Sequence, residues 1–262
     1  MNFFEAIVLG LVQGLTEFLP VSSSGHLVIA QTLMDVPTPG VFVEVALHLA
    51  TLISVLVVYH RRVGSLAVGA VRRDPQAWRY IGLLLLASVP AGIVGVFFED
   101  QIEAAFDAPW VTGAMLLVTG VLLWSTRKLG DREWKERPAT RHALGMGVAQ
   151  AFAILPGISR SGSTITAGLW GRLQGDSAAE FSFLMSVVAI AGAVVLQIGD
   201  IGESVHQVGA TALAAGFVSA LVSGILAIRL LIWLLRKQTF YVFAYYVWIV
   251  GGLFLLYLGL RG

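Results

Sequence analysis

The sequence predicts an all-α integral membrane protein built as an inverted-topology repeat, with six transmembrane helices and two re-entrant helix–loop–helix hairpins. Three observations predict it. Of the 262 residues, 57% are hydrophobic and only 13% charged, where soluble domains carry about 25% charged residues. Six stretches are apolar and long enough to cross a hydrocarbon core of ~30 Å, which takes about 20 helical residues. Two more apolar stretches are broken near their middles by Pro, Gly and Ser, and the two breaks resemble each other. The net charge of +1 offers nothing to nucleic acid. Zero Cys excludes disulfides, thiolate catalysis and Cys-ligated metal. Met1–Glu5 lacks the basic start of a cleavable signal peptide, so membrane delivery is expected to rely on the hydrophobic segments themselves.

In chain order, residues 2–34 form the first broken stretch, interrupted at Pro20–Gly25. The piece after the break, His26–Met34, is too short to cross at about 1.5 Å per residue, so a re-entrant hairpin is predicted. Spans follow at about 42–60, 78–98 and 110–128. The second broken stretch, 143–172, is interrupted at Pro156–Gly162, and spans at 178–199, 208–235 and 240–260 complete the chain. Irregular backbone at membrane depth is tolerated only where protein buries it or it lines a wet cavity.

Basic loops set the orientation. Loop 61–77 holds Arg61, Arg62, Arg72 and Arg73, and loop 127–142 holds Arg127, Lys128, Arg132, Lys135, Arg137 and Arg141. Both are therefore predicted to be cytoplasmic, as are Arg236 and Lys237. Loop 99–109, with Glu99, Asp100, Glu103 and Asp107, and the Asp200–Glu203 loop fall outside. The alternation closes with both termini outside.

Pro20 recurs as Pro156 and Glu44 as Glu180, each 136 positions on, and Gln13 recurs as Gln150, 137 on. The chain thus reads as one membrane domain, 1–262, with repeat one at about 1–130 and repeat two at about 140–262. Three crossings per half is an odd number, so the second half inserts upside down. Inverted repeats of broken helices place ligand sites at the repeat interface near the midplane. Ser22–His26 should enter from outside and meet Ser159–Thr164 entering from inside.

The polar residues at the breaks are the candidate chemistry, because an ionisable group inside a membrane is costly and by default functional. Gln13 and Glu17 lie four apart on one helix face. Glu17 is the stronger candidate; Gln13 reads equally well as a helix-packing amide. Ser22, Ser23, Ser24 and Gly25 precede a helix start, where free N–H groups attract phosphate. One serine there is an ordinary N-cap, which leaves the others unexplained. His26 could be a metal ligand, a proton carrier or a nucleophile, and Ser23 beside a base is a recurring nucleophile arrangement. Arg160 supplies a permanent cation with a fork suited to phosphate, or else a structural ion pair with Glu17. Ser159, Ser161 and Thr164 around it favour an anion cradle. Glu44 and Glu180 are expected to support the hairpin loops through backbone N–H groups. His48, Trp170 and Phe181 read as packing or belt residues, and His60 and His142 as solvated at the cytoplasmic edge.

Gln13-Gly-Leu-Thr-Glu17-Phe-Leu-Pro-Val-Ser-Ser-Ser-Gly-His26 and Pro156-Gly-Ile-Ser159-Arg160-Ser161-Gly-Ser-Thr164, with Glu180-Phe-Ser-Phe beyond, resemble the signature motifs of the undecaprenyl-diphosphate phosphatase family associated with bacitracin resistance. The resemblance implies a multi-pass enzyme of the bacterial inner (plasma) membrane. It would remove one phosphate from undecaprenyl diphosphate, regenerating the lipid carrier of peptidoglycan synthesis, through a site open to the outer, periplasmic side. It implies Glu17, Ser23, His26 and Arg160 as the catalytic set, with Gln13, Ser22, Ser159, Ser161 and Thr164 binding substrate. It also implies a divalent cation, Mg²⁺ or Ca²⁺, on Glu17 and the substrate phosphates. Gln13 stands where the family often has Glu, which removes one anionic ligand. Prenyl length and oligomeric state, including a homodimer, stay open. The competing reading is an inverted-repeat transporter or flippase for a phosphorylated lipid.

Overall fold

The computed structural model describes residues 1–34, 41–129, 134–197 and 209–261. Every regular element among them is helical; the sole β-type pairing there is an isolated bridge between Lys135 and Leu173. The first broken stretch is α1 (Phe3–Phe18) and α2 (Ser23–Met34), and α3 (Val41–Val58) follows. Then come α4 (His60–Val71), α5 (Pro75–Phe97), α6 (Glu99–Phe106) and α7 (Pro109–Ser125). The second broken stretch is α8 (Thr140–Phe152) and α9 (Arg160–Trp170), followed by α10 (Gly175–Gln197), α11 (Ala210–Arg236) and α12 (Phe243–Arg261). Among the described residues, α5, Pro109–Lys128, α11 and Phe240–Arg261 are long and apolar enough to cross a membrane. Val45–Val58 and His60–Val71, bent by 80° at Tyr59, make a fifth such unit if taken as one. This is a multi-pass membrane protein.

Two segments expected to be loops contain helices. Residues 61–77 hold α4, whose single buried residue is Leu66, and residues 99–109 hold the acidic α6. Both are charged and lie along the surface, so hydropathy alone does not distinguish them from loops. The side chain of Glu44 and the Asp200–Glu203 segment lie outside the described residues.

Small residues decide how the helices pack. Ala6, Gly10 and Gly14 form one face of α1 at four-residue spacing and meet α11. A Cβ on Gly10 would sit 2.2 Å from the Gly216 carbonyl oxygen, and one on Gly14 2.0 Å from Ser223 Oγ. Close backbone approach of this kind is the main way helices associate in lipid, where burial of apolar surface gives no drive. Hydroxyls add to the seam: Ser219 donates to the Ile7 carbonyl (2.9 Å) and Ser54 on α3 to the Leu221 carbonyl (3.0 Å). Gly113 and Gly120 let α12 approach α7, with Trp248 Nε1 donating to the Leu117 carbonyl at 3.1 Å. On α10, Ala178, Ala179 and Phe181 to Ser186 are buried, and Phe183 meets Phe18 edge to face at 5.4 Å.

The two breaks have the same local logic. Leu19 is extended, as expected before Pro20, and α1 ends there. Ser22 then caps α2, its Oγ accepting from the Gly25 N–H at 3.2 Å. Ser159 caps α9 in the same way, accepting from the Gly162 N–H at 3.1 Å. Gln13, Ser22 and Gly25 recur 137 positions on as Gln150, Ser159 and Gly162. Gly157 has φ +94°, and a Cβ there would lie 2.3 Å from the Thr112 carbonyl oxygen, so only glycine fits. Thr119 on α7 stitches this second break: its hydroxyl donates to the Gly157 carbonyl (2.8 Å) and accepts from the Ser159 N–H (3.1 Å).

Three further expectations are corrected. Glu180 does not reach the hairpin N–H groups; it accepts from Arg62 Nε (2.9 Å) and the Tyr80 hydroxyl (3.0 Å), with Arg62 stacked 4.3 Å above the Tyr80 ring. The bend at Tyr59 carries Arg62 back onto α10, a contact no local pattern announces. His142 is not solvated but 2% exposed. Its Nδ1 accepts from the Ala139 N–H (2.8 Å), so Nε2 carries the proton and donates to the Gly171 carbonyl (2.9 Å), tying the start of α8 to the end of α9. His48, read as packing, lines the cavity described next.

Candidate active site

The two breaks touch. A Cβ on Gly25 would lie 3.1 Å from Gly157 Cα, and one on Gly162 3.2 Å from Pro20 Cβ. Ser161 donates to the Leu19 carbonyl at 3.2 Å across the contact. Beside it lies a cavity of about 200 Å³. Its polar wall is Glu17, Ser22–Ser24, Ser159 and Arg160, joined by Thr16 and His48; Phe106, Ala153, Ile154 and Ile158 are the apolar wall.

Glu17 is the hub. Arg160 Nη2 donates to its Oε1 at 2.7 Å, while Ser23 Oγ (2.9 Å) and Gln13 Nε2 (3.2 Å) donate to its Oε2. The carboxylate is 8% exposed and the guanidinium 17%, so neither charge could be left alone at this depth without a large desolvation penalty. Arg160 keeps a second, buried Nη1 that has no acceptor among the described residues. Of the two roles the sequence leaves open for Arg160, the structure shows the ion pair with Glu17.

The structure thus gathers Glu17, Ser23, Arg160, Ser22 and Ser159 around one cavity, with Gln13 behind Glu17. It does not bring all the expected residues there. Thr164 is fully buried, donating to the Arg160 carbonyl (2.8 Å) and sharing a 2.6 Å hydrogen bond with Ser182, so it packs α9 on α10. Ser161 bridges the two breaks and stands beside Ser159 (3.2 Å). His26 faces away from the cavity: Nδ1 bonds to the Ser22 carbonyl (2.8 Å) and Nε2 to the Tyr246 hydroxyl (2.8 Å). Ser22 itself has φ 69°, a left-handed conformation costing a non-glycine residue about 1–2 kcal/mol.

His48, Phe106 and Tyr246 were missed as site or near-site residues. His48 carried a readable signal, an ionisable side chain within an apolar span, and it lies close enough to Glu17 to interact with its charge. Phe106 ends α6 and Tyr246 lies 220 positions from His26, so only the fold brings them near.

As for a divalent cation, the donor set fits only in part. Among the described residues no group of three or more His, Cys, Asp or Glu could hold a metal, and Glu17 is the only carboxylate on the cavity wall. A hard cation would need phosphate oxygens to complete its shell.

A profile of the family described as Bacitracin resistance protein BacA matches residues 6–253. A protein of Syntrophotalea carbinolica called undecaprenyl-diphosphatase is 43% identical, over 97% of this chain and 98% of its own length. Relatives of the same name from Halothermothrix orenii and Alkaliphilus metalliredigens are each 41% identical over nearly the full length of both chains. On this full-length agreement, together with the paired motifs that meet at the cavity, the chain belongs to the BacA family of bacitracin resistance proteins.

Proposed function

We infer that the chain is an undecaprenyl-diphosphatase, hydrolysing undecaprenyl diphosphate to undecaprenyl phosphate and inorganic phosphate and so recycling the lipid carrier of cell-wall synthesis. The observation that carries this reading is the cluster of Ser23, Glu17 and Arg160 on one polar cavity, in a chain whose full-length relatives bear that enzyme's name. Those names favour hydrolysis over the transporter or flippase alternative.

The chain is arranged as six spans and two re-entrant hairpins, α1–α2 and α8–α9, related by inversion. The cavity faces the outer side of the bacterial plasma membrane, and both termini lie there too. Support comes from Phe106: it ends the acidic α6 and lines the cavity, whereas among the described residues no Lys or Arg from 61–77 or 127–142 does. Segments poor in basic residues lie outside. The prenyl tail stays in lipid and the diphosphate enters the cavity.

Ser23 Oγ attacks the terminal phosphorus while its proton passes to Glu17 Oε2, the acceptor it already contacts at 2.9 Å. The Oγ–P bond forms, the bridging P–O bond breaks, and undecaprenyl phosphate leaves. Water then attacks the phosphoserine, the Ser23 Oγ–P bond breaks, Glu17 returns its proton to Ser23 Oγ, and the attacking water's oxygen and its remaining protons leave as inorganic phosphate. Arg160, on the cavity wall, meets the phosphoryl charge as its buried Nη1, without an acceptor among the described residues, turns toward the substrate, and charged donors aimed at the transferring group supply most of what phosphoryl transfer demands. A divalent cation, Mg²⁺ or Ca²⁺, would rest on Glu17 and the substrate phosphates and would neutralise charge that Arg160, already paired, leaves uncompensated.

Phosphate release from undecaprenyl diphosphate by the detergent-solubilised protein tests this reading. Wild type releases phosphate, and Arg160→Ala lowers the rate by about a hundredfold or more, as for loss of a charged transition-state donor. A wild type without hydrolysis, or Arg160→Ala with near-normal turnover, would overturn it.

A further inference from the structure

His26 sits where a proton carrier for Ser23 would be sought, yet both of its ring nitrogens are committed elsewhere. A carbonyl only accepts, so the 2.8 Å contact with the Ser22 oxygen means that Nδ1 carries a proton. The remaining nitrogen, Nε2, is the one able to take up a proton in the neutral ring. It lies 2.8 Å from the Tyr246 hydroxyl, and the two rings are stacked, 5.7 Å between centroids and 4° between planes. Neither His26 nor Tyr246 lines the cavity.

What His26 does hold is Ser22. The Ser22 carbonyl accepts from the His26 backbone N–H (3.1 Å) as well as from Nδ1, and Ser22 Oγ accepts from the Gly25 N–H. These bonds converge on a residue in the left-handed region, a conformation that persists only where the surroundings over-determine it. Ser23 is the next residue, so the angle at Ser22 sets the direction of Ser23 Oγ. Tyr246 belongs to α12, which packs on α7 through Gly113 and Gly120, and α7 carries Thr119, the residue that stitches the second break. The same pair of helices thus steadies both halves of the site.

We propose that His26 and Tyr246 form a brace that locks Ser22 in its left-handed turn and aims Ser23 at Glu17, making both positioning residues for the phosphatase reaction rather than proton carriers. The proposal rests on the function inferred above.

Two isosteric replacements test it in the full-length enzyme. The amide N–H of His26→Asn falls near the place of Nδ1–H and can still donate to Ser22, but Asn cannot act as a base. His26→Gln places its amide nearer Nε2 and keeps the Tyr246 side only. The brace predicts that His26→Asn retains kcat within about tenfold of wild type, the scale of one weakened hydrogen bond, with unchanged pH limbs. His26→Gln should lose about a hundredfold, as misaimed reacting groups do. Tyr246→Phe should lower kcat about three- to tenfold with KM and both pH limbs unmoved. His26→Asn no more active than His26→Gln, or a shifted acid limb in Tyr246→Phe, would overturn the brace and make His26 the proton carrier. Failure of the function itself would read differently, as a wild type that releases no phosphate or an Arg160→Ala that still does.

Discussion

Glu17 accepts from an arginine, a serine and an amide at once, and its loss should show in two measurements. Glu17→Gln leaves the Arg160 charge buried without its partner, a change that typically costs about 3–5 kcal/mol. We expect a lower midpoint in thermal unfolding of the detergent-solubilised protein together with loss of phosphate release. Adding Arg160→Met should restore most of the midpoint and none of the activity. An unaltered midpoint in the single variant would mean that the pair contributes nothing to folding. Glu17, Ser23 and Arg160 were legible in the sequence because ionisable and hydroxyl groups inside apolar spans have few reasons to exist. The direction of His26 was not. It lies three positions after Ser23, on the same side of a helix, and what turns it away is Tyr246 at the far end of the chain.

At the scale of elements, the contact between α1 and α11 depends on absent side chains. Gly14→Ala would place a Cβ 2.0 Å from Ser223 Oγ and 2.4 Å from the Ala220 carbonyl oxygen, and backbone cannot rotate out of the way. Overpacking of this kind costs about 1–3 kcal/mol, so the variant should unfold at lower temperature. Gly252→Ala, with nothing within 4 Å of the added carbon, is the matched control and should stay within about 0.5 kcal/mol of wild type. Equal midpoints would remove the seam from the account of stability. Both interruptions were readable from Pro20 and from Pro156–Gly157, since the first ends a helix and the second demands positive φ. α4 and α6 were not readable from hydropathy. Their charged faces look like loops to any measure that ignores three- to four-residue periodicity.

Over the whole molecule, orientation is testable without background, because the chain contains no Cys. A cysteine at Glu103 should react with a membrane-impermeant maleimide on intact cells, and one at Arg72 only after lysis. The reverse pattern would invert the arrangement. Chelation should be equally decisive: with one carboxylate on the cavity wall and its partner arginine already neutralised, a chelator should abolish phosphate release and added Mg²⁺ or Ca²⁺ restore it. Full activity in chelator would leave Arg160 and the hydroxyls to manage the diphosphate alone. The repeated motifs made the kinship of the two halves visible, while their differences needed the contact between the breaks. Gln13 has Glu17 one turn on to bond to. Its counterpart Gln150 has Ile154 instead, and neither polar atom of its amide finds a partner among the described residues.

Ser22 and Ser159 each cap a helix through a hydrogen bond from the glycine three residues on, and the residues right after them, Ser23 and Arg160, both line the cavity and both bond to Glu17. Two separate identical subunits related by symmetry would present either two hydroxyls or two guanidinium groups there. In a single polypeptide the two positions are free to differ, and here one holds a hydroxyl and the other a cation, both bonded to the same carboxylate.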